Sequence, residues 1–481
     1  MKEQVFNPYL PSWEYVPDGE PRVFGDKLYV YGSHDRSDGE DYCLNDYVCW
    51  WAPVSDLSDW HFEGTIYKAV QDPRNTDGKM HMCAPDCVQG PDGRYYLYYQ
   101  LHALQCTCAA VSDQPQGPFE YYGAVQHEDG TPWGEKKGDT FVFDPGVLVD
   151  DDQRVYLYCG FSTKGLMQQV FKMRGNKVDG SVCLELDADM ITVKGEEHPI
   201  VPGSTKAKNT EFEGHAFYEA SSIRKVNGKY CYVYSSELSH ELCYAYSDSP
   251  TGGFHYGGTL ISIADIGYRG NEKPLNYLGN THGGMTEING QWYIFYHRQT
   301  NRRKCCRQGC AEKLNILPDG RIEQAQVTSC GLNSGPLKAK GCYGARIACL
   351  LNGKDGIISS DGAEKKDKKL LYPYFTQTGE DREADGDQYI ANMKDGAWCG
   401  FRYFTFEGDE TEISICVKST SYGVVTVHSE LDRKPLAEIA VSPSEEWTVH
   451  KNTLDVKEGV SALYFVFHGT GVMDFSSFEI R

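Results

Sequence analysis

The chain has 481 residues, which is enough for two or more domains with full hydrophobic cores. Its composition, 40% hydrophobic and 13% aromatic with 33 tyrosines, is typical of a folded, strand-rich protein and excludes a disordered one. The formal net charge of -21 repels phosphate groups, so nucleic acid and anionic membranes are excluded as partners and neutral ligands remain.

The chain begins without an apolar run of signal-peptide length, and no later stretch approaches the roughly 20 apolar residues of a spanning helix. We therefore expect a cytoplasmic protein without a membrane partner. The 18 cysteines are scattered through strand-like segments, a pattern that predicts reduced core thiols rather than disulfides. The densest group, Cys305, Cys306 and Cys310, lacks a second cysteine or histidine pair, which argues against a zinc site there.

Five similar segments, spaced roughly 60 to 75 residues apart, each consist of a turn followed by a tyrosine-rich strand. They are Phe24 to Tyr31, Gly90 to Tyr98, Asp150 to Tyr158, Lys225 to Tyr234 and Glu287 to Tyr296. This spacing suits the four-stranded blade of a propeller, so the pattern predicts a five-bladed β-propeller over residues 1–318.

A polar residue stands roughly six to eight positions before each of these turns, near the innermost strand of its blade. Blades around one axis bring equivalent positions to one pocket, so we expect these five residues to lie near each other. They are Asp18, Asp86, Asp144, Glu219 and His282.

After residue 318 the pattern changes. Residues 319–369 are rich in Gly, Lys and Asp, which predicts connecting strands and an exposed linker. In residues 370–481, short alternating runs such as Glu412 to Val417 and Gly423 to His428 predict a β-sandwich of the jelly-roll kind. The predicted fold class is thus all-β.

Carboxylates gathered at one axis repel each other, and burial pushes them further towards the protonated form. One protonated acid beside one ionised carboxylate is what glycoside hydrolysis requires. The alternative is that Asp18, Asp86 and Asp144 only cap turns, as aspartate does often.

The segments around these residues resemble glycoside hydrolase family 43. Pro17 to Phe24 with the following Tyr29 to Asp35 resembles its first blade, and Phe143 to Gly146 its third-blade Asp-Pro motif. Phe217 to Ser222 is similar to its fourth-blade acid motif, and Ala84 to Asp86 and Thr281 to Gly284 are similar to motifs of its second and fifth blades. The first-blade motif departs from the family's usual Ala-Asp-Pro, because Gly19 follows Asp18 and the proline is delayed to Pro21.

The resemblance implies that Asp18 is the general base, Glu219 the general acid, and Asp144 a modulator that keeps Glu219 protonated and oriented. It also implies inversion at the anomeric carbon, with the Asp18 and Glu219 carboxyls roughly 6.5 to 9.5 Å apart. A calcium ion near the axis, held largely through water, is a further implication, with His282 as its candidate contact; a core histidine bonded to the backbone is the alternative.

Three more residues are candidates for substrate binding. Arg307 matches an arginine that meets the substrate in the family, with a surface ion pair to Glu312 or another carboxylate as the alternative. Asp86 either binds a sugar hydroxyl or caps its strand. Trp50 and Trp51 alternate along a strand, which places one in the core and leaves the other, Trp51, to stack on a sugar.

The C-terminal segment resembles a family 6 carbohydrate-binding module at Asp387 to Trp398, at Trp447 and at Asp474 to Ile480. Asp474 and Ser476 stand where such modules carry a sugar-binding Asn and a calcium-binding Asp, which speaks against both functions. We read Tyr389, Trp398 and Trp447 as core aromatics, and the module as a support for the propeller or its pocket.

These resemblances predict an inverting, exo-acting hydrolase that releases terminal α-L-arabinofuranosyl residues from arabinoxylan or its oligosaccharides, with plant cell-wall oligosaccharides as partners. A β-D-xylosidase is the nearest alternative. A non-catalytic carbohydrate-binding propeller is the alternative from another class, although pure binding does not need an acid and a base together. A fructan-cleaving hydrolase is disfavoured because its Asn-Asp-Pro and Glu-Cys motifs are absent. The sequence predicts no oligomeric state.

Overall fold

The computed structural model describes residues 4–357, 372–384 and 386–481. Within them the protein is all-β, with 31 strands, one α-helix, α1 (Gly165–Arg174), and three single-turn 3₁₀ helices, Ala69–Gln71, Tyr268–Gly270 and Ala345–Ile347. None of the helices in these ranges has the length and apolar character needed to cross a membrane.

The first five sheets are antiparallel and follow one another along the chain. The first contains β1 (Glu20–Phe24), β2 (Lys27–Tyr31), β3 (Tyr47–Pro53) and β4 (His61–Tyr67). The second contains β5 (Met82–Gln89), β6 (Tyr95–Leu101), β7 (Thr107–Ser112) and β8 (Glu120–Ala124). The third contains β9 (Gly146–Val149), β10 (Val155–Ser162), β11 (Asp179–Leu186) and β12 (His198–Pro202). The fourth contains β13 (Phe217–Val226), β14 (Lys229–Ser236), β15 (Glu241–Ser247) and β16 (His255–Ser262), and the fifth contains β17 (Met285–Ile288), β18 (Gln291–Thr300) and β19 (Arg303–Lys313).

The five sequence repeats coincide with the first hairpin of each sheet. Their tyrosine-rich segments form β2, β6, β10, β14 and β18, the second strand in every case. These strands are buried on both faces because each sheet packs between two others; Tyr158 and Tyr232, from the third and fourth sheets, share one hydrophobic cluster. The prediction that each repeat is an equivalent hairpin is confirmed.

The first strands of the five sheets lie side by side in chain order. β1 contacts β5, β5 contacts β9, β9 contacts β13, and β13 contacts β17. β17 in turn contacts β1, where Gly19 and Gly283 form a parallel bridge. The five first strands, and the residues at their beginnings, are therefore brought to a common centre.

The remaining strands form two six-stranded sheets. The sixth sheet contains β20 (Leu337–Lys338), β22 (Leu350–Asn352), β25 (Trp398–Phe406), β27 (Gly423–His428), β28 (Ala437–Val441) and β30 (Gly459–Gly469). The seventh contains β21 (Gly341–Gly344), β23 (Tyr374–Thr376), β24 (Tyr389–Met393), β26 (Glu412–Ser419), β29 (Ser444–Thr453) and β31 (Met473–Ile480). Side chains of both sheets, among them Phe401, Phe465 and Phe478, form one core.

The segment predicted to connect the two parts contributes strands to the second one. β20 and β22 pair with β25, and β21 pairs with β31, so these three strands, between residues 337 and 352, belong to the sixth and seventh sheets. The predicted linker at residues 364–369 lies outside the described residues.

The two parts share buried contacts. Trp398 and Tyr464 pack against a cluster formed largely by the fourth and fifth sheets, and Arg402 pairs with the buried Asp265. The three residues predicted to be core aromatics are half-buried and pack on neighbouring rings: Trp398 contacts Tyr464, and Tyr389 contacts Trp447 edge-on at 5.2 Å. All 18 cysteines are free, as predicted.

Candidate active site

A cavity of about 630 Å³ opens at the centre of the five sheets. Four of the five predicted axial residues line it: Asp18, Asp144, Glu219 and His282. Arg307 lines it as well, from β19. The structure therefore gathers residues from the first, third, fourth and fifth sheets around one space large enough for a sugar.

The backbone is irregular where the carboxylates enter the cavity. Asp18 and Asp144 have positive φ angles of 56° and 49° and lie just before β1 and β9. Glu219 lies in β13 between two register shifts, and the next residue, Ala220, has a φ of 70°. Bulges and left-handed residues re-aim side chains, and such strain concentrates at functional sites.

Asp18 is held by Arg307. The Arg307 Nη1 donates to Asp18 Oδ1 at 2.7 Å, and both side chains are buried. Burial by itself raises the pKa of Asp18, but the positive charge of Arg307, together with the contacts of His297 and His282, outweighs burial and lowers that pKa below its ordinary value. Asp18 is therefore ionised at neutral pH.

Asp35 fixes Arg307 from the other side. It is fully buried and accepts two hydrogen bonds from the Arg307 guanidinium, from Nε at 2.8 Å and from Nη2 at 3.0 Å. The Arg307 ion pairs are thus in the interior, with Asp18 and Asp35, and not with Glu312, which is itself buried. Such a bidentate clamp sets the position of the remaining nitrogen, Nη1, against Asp18.

His297 contacts Asp18 as a neutral ring. Its Nε2 lies 2.9 Å from the Asn280 carbonyl oxygen and so carries the ring proton. Its Nδ1 then accepts the backbone N–H of Asp18 at 3.4 Å. Burial lowers the pKa of His297, in agreement with a neutral imidazole.

The pKa values of Asp144 and Glu219 are shifted in the opposite direction to that of Asp18. Burial first, and then the negative charge of Asp18, raises the pKa of Glu219 to about 7. Burial and the charge of Glu219 raise the pKa of Asp144 as well, although Asp144 Oδ2 accepts the Ala220 N–H at 3.0 Å. Because the two carboxylates would repel each other if both were ionised, this pair retains a proton near neutral pH.

His282 lies between the carboxylates. Its Nδ1 is 3.6 Å from Asp144 Oδ2 and 4.0 Å from Asp18 Oδ1. Burial lowers the pKa of His282 to about 4, so the ring is neutral. The glycines that follow it let β17 approach the centre, since a Cβ at Gly284 would lie 2.3 Å from Glu20 Oε2.

One wall of the cavity is aromatic. Phe141, Phe143, Phe161, Phe171 and Tyr218 line it and contact each other. Phe171 is carried by α1, which the sequence analysis did not place; the helix ends at Gly175, whose φ is 94°. Aromatic faces pack against the C–H groups of a sugar and exclude water from the bond under attack.

Two predicted substrate-binding residues are not brought to this cavity. Asp86 is fully buried in β5, where it accepts hydrogen bonds from Arg22 and from the Val147 N–H. Trp51 lies in β3, the third strand of its sheet, stacked on His61 and with the Lys27 ammonium 3.8 Å from its ring centre. The alternation was predicted correctly, because Trp50 is in the core, but Trp51 lies on the third strand of its sheet and is not among the residues that line the cavity.

The comparison with a protein-family model decides the affiliation of the chain. The model of glycosyl hydrolases family 43 matches residues 23–322. The chain belongs to glycosyl hydrolase family 43. It is 46% identical to a xylosidase/arabinosidase of Thermoclostridium stercorarium over 100% of this chain and 99% of that protein. It is 30% identical to xylosidase/arabinosidase 43A of Humicola insolens over 59% of this chain and 88% of that protein.

Solved structures show the same likeness. A family 43 arabinoxylan arabinofuranohydrolase of Bacillus subtilis, in complex with cellotetraose, has a TM-score of 0.53 at 20% identity and covers 99% of this chain and 97% of its own. A GH43_1 enzyme of Xanthomonas citri complexed with xylose has a TM-score of 0.53 at 25% identity and covers 67% of this chain and 93% of its own.

The calcium ion implied by the family resemblance needs oxygen ligands, six to eight as a rule. His282 offers a nitrogen that faces Asp18 and Asp144, and Asp18 is already bonded to Arg307. Over the described ranges, no three carboxylate, thiol or imidazole donor atoms converge at His282 within 4.8 Å. The residues here do not fit direct ligation of calcium.

Two residues of the site escaped the sequence analysis, Asp35 and His297. Each carried a weak signal: His297 follows Tyr296 directly at the end of the fifth repeat, and Asp35 stands four residues after Tyr31 in the first-blade segment. A buried polar or charged side chain needs a partner, and here Asp35 pairs with Arg307 and His297 contacts Asp18.

Proposed function

We propose that this family 43 protein is an inverting, exo-acting glycoside hydrolase that releases terminal α-L-arabinofuranosyl residues from arabinoxylan or its oligosaccharides. The observation that carries the proposal is one cavity lined by a carboxyl with a lowered pKa, Asp18, and another with a pKa raised to about 7, Glu219. Opposite pKa shifts of two carboxyl groups in one site identify the ionised group as the base and the protonated group as the acid.

In the proposed reaction, the sugar occupies the cavity with its ring against the aromatic wall. Glu219 donates its proton to the leaving glycosidic oxygen, while ionised Asp18 takes a proton from a water molecule that attacks the anomeric carbon from the opposite side. Arg307 helps to keep Asp18 ionised. The Ala220 N–H donates to Asp144 Oδ2 and favours the ionised form of Asp144, so the proton that the pair retains lies on Glu219. No covalent intermediate forms.

A β-D-xylosidase is the second candidate. It is favoured by the Thermoclostridium stercorarium relative, a xylosidase/arabinosidase that matches over the whole chain. The arabinoxylan arabinofuranohydrolase of Paenibacillus polymyxa, 24% identical over 95% of this chain, supports the first candidate. A purely carbohydrate-binding protein would have no use for the opposite pKa shifts of Asp18 and Glu219.

The architecture that we propose is a five-bladed propeller followed by a β-sandwich. The ring order of the first strands supports the propeller, and the shared core of the sixth and seventh sheets supports the sandwich. We propose the sandwich as a support rather than a sugar-binding module, since Tyr389 and Trp447 pack on each other and Asp474 accepts the Asn392 N–H at 2.8 Å.

The test compares hydrolysis of an aryl α-L-arabinofuranoside and an aryl β-D-xyloside by the natural protein, Asp18→Asn, Glu219→Gln and the exposed control Asp152→Asn. We expect faster turnover of the arabinofuranoside, a loss of about 10²- to 10⁴-fold on an oligosaccharide for both site variants, and no loss for the control. The Glu219→Gln loss should shrink on the aryl substrates, whose leaving groups need little protonation. Unchanged turnover in both site variants would remove the assignment, and faster xyloside hydrolysis would exchange the two candidates.

Calcium takes no part in the proposed reaction. A calcium ion held through water molecules near His282 stays a prediction, and the direct donors present do not require one. Addition of a calcium-selective chelator should therefore leave kcat unchanged.

A further inference from the structure

A second cluster of chemically active side chains lies outside the cavity, on the fourth sheet. It joins His215, which lies two residues before the start of β13, to Glu241 and Cys243 of β15. Glu241 and Cys243 are two residues apart and so project from the same face of the strand. Within the described ranges, this is the one group of three such ligand residues whose donor atoms lie within 4.8 Å of each other.

We propose that His215, Glu241 and Cys243 bind a zinc ion. The three donor atoms form a triangle: His215 Nδ1 to Glu241 Oε1 is 2.7 Å, Glu241 Oε1 to Cys243 Sγ is 3.3 Å, and Cys243 Sγ to His215 Nδ1 is 3.9 Å. A tetrahedral zinc ion with ordinary bond lengths holds such donors about 3.3 to 3.6 Å apart, so shifts of about half an ångström convert this triangle into one face of the tetrahedron.

The carboxylate is fixed in the manner of a metal ligand. Ser236 Oγ donates to Glu241 Oε1 at 2.6 Å, and Thr259 Oγ1 donates to Glu241 Oε2 at 3.0 Å. These outer hydrogen bonds come from the neighbouring strands β14 and β16 and orient Glu241 independently of His215. The His215 ring is fixed as well, because it stacks on Tyr256 with an angle of 16° between the planes.

The charges of the three ligands and the exposure of the site to solvent both suit a doubly charged metal ion. A thiolate and a carboxylate balance the two charges of zinc, and the neutral imidazole completes a site without net charge, which lowers the cost of burial. The thiol proton of Cys243 leaves to solvent when the metal binds. Glu241 and Cys243 are buried, but 35% of the His215 side chain is exposed, so an ion can enter and a water molecule can take the fourth position. Mixed sulfur, nitrogen and oxygen donors favour zinc over calcium or magnesium.

The competing interpretation is a His215–Glu241 ion pair with Cys243 as a bystander. An ion pair needs only two of the three residues, whereas the metal needs the thiolate. The site would also tie the start of β13, which carries Glu219 four residues after His215, to β15.

The test uses the full-length chain, freed of metal by a chelator and then titrated with Co²⁺ as a spectroscopic probe and Zn²⁺ by calorimetry. We expect one equivalent of either ion per chain, with a near-ultraviolet thiolate-to-cobalt band. Cys243→Ser should lose the band and His215→Gln should weaken Zn²⁺ binding at least about 100-fold, while Thr259→Val should weaken it about tenfold. The exposed thiol variant Cys342→Ser is the matched control and should bind like the natural chain.

A band that persists in Cys243→Ser, or Zn²⁺ affinity that is unchanged in His215→Gln, would overturn the proposal and leave the ion pair. Should Cys243→Ser fail to fold, the half-exposed His215 and the outer Thr259 still decide the matter, because neither fills the core.

Discussion

Asp18 and Glu219 differ in protonation because of the charges around them. Both are enclosed by protein, yet Arg307 contacts Asp18 directly, whereas Glu219 feels the negative charge of Asp18. For the proposed reaction Asp18 must be ionised and Glu219 protonated. The pKa of Asp18 is lowered and that of Glu219 is raised to about 7, so activity should be retained well below pH 7 and should fall as the pH rises through about 7.

Replacement of Arg307 tests this electrostatic argument. Arg307→Ala removes the cation that lowers the pKa of Asp18, so that pKa should rise by about 1 to 3 units. The base then becomes protonated at higher pH, and the acid limb of the kcat/KM profile should move upwards while the alkaline limb moves less. The pH profile on an aryl arabinofuranoside measures both limbs. An acid limb that stays in place would show that Arg307 does not control Asp18.

The first strands of neighbouring sheets are joined by a buried ion pair. Arg22 of β1 donates to Asp86 of β5 and to the Val147 carbonyl oxygen of β9, and Asp86 accepts the Val147 N–H. One pair thus ties three sheets together at their centre. Its position explains why Asp86 looks like a site residue in the sequence: it occupies the repeated axial position but points to a neighbouring strand.

Breaking this pair should destabilise the ring of sheets. Asp86→Asn leaves Arg22 as a buried charge without its partner, which costs about 3 to 5 kcal/mol of the free energy of unfolding. Urea unfolding measures the loss, and Asp152→Asn, in an exposed hairpin pair with Arg154, is the control that should change little. A stable Asp86→Asn protein with reduced sugar binding would instead support the substrate contact first considered for Asp86.

The five strand repeats could be predicted from the sequence. Buried tyrosines at alternating positions follow turn residues such as Asn289-Gly290, and this pattern favours the same hairpin in all five. The axial residues followed from that register. The features that the sequence did not predict depend on three-dimensional contacts. Asp35 acts through Arg307, His297 contacts Asp18, and the helix α1 lies in an insertion between β10 and β11, outside the repeats. Likewise, Trp51 lies outside the cavity because β3 is the third strand of its sheet. The sequence of β3 alone does not show that position.

The C-terminal sheets reach the active site through a loop. Asp381 Oδ1 accepts the Ser37 N–H at 2.7 Å, and its Oδ2 accepts from Asn45 Nδ2 at 3.1 Å. The segment between Ser37 and Asn45 contains Tyr42 and Cys43, which line the cavity. Arg382 beside it donates to the buried Glu14. The second part of the molecule therefore shapes the pocket of the first.

Asp381→Ala should loosen this pocket wall without touching the catalytic groups. We expect KM to rise about tenfold with a smaller change in kcat, because the wall positions substrate while Asp18 and Glu219 keep their places. Asp409→Ala, an exposed carboxylate of the same sheets that pairs with Lys340, is the control. Equal kinetics in both variants would show that the loop contact is dispensable and that the C-terminal part acts elsewhere.

The central claim is that one water molecule, activated by Asp18, displaces the leaving group protonated by Glu219 in a single step. Proton NMR of the first turnovers tests it most directly, because it shows the anomer that is released before mutarotation. The mechanism predicts inversion, with the β-anomer of L-arabinofuranose released from an α-L-arabinofuranoside. Release of the α-anomer would mean a covalent intermediate and would contradict the assignment of Asp18 as a base.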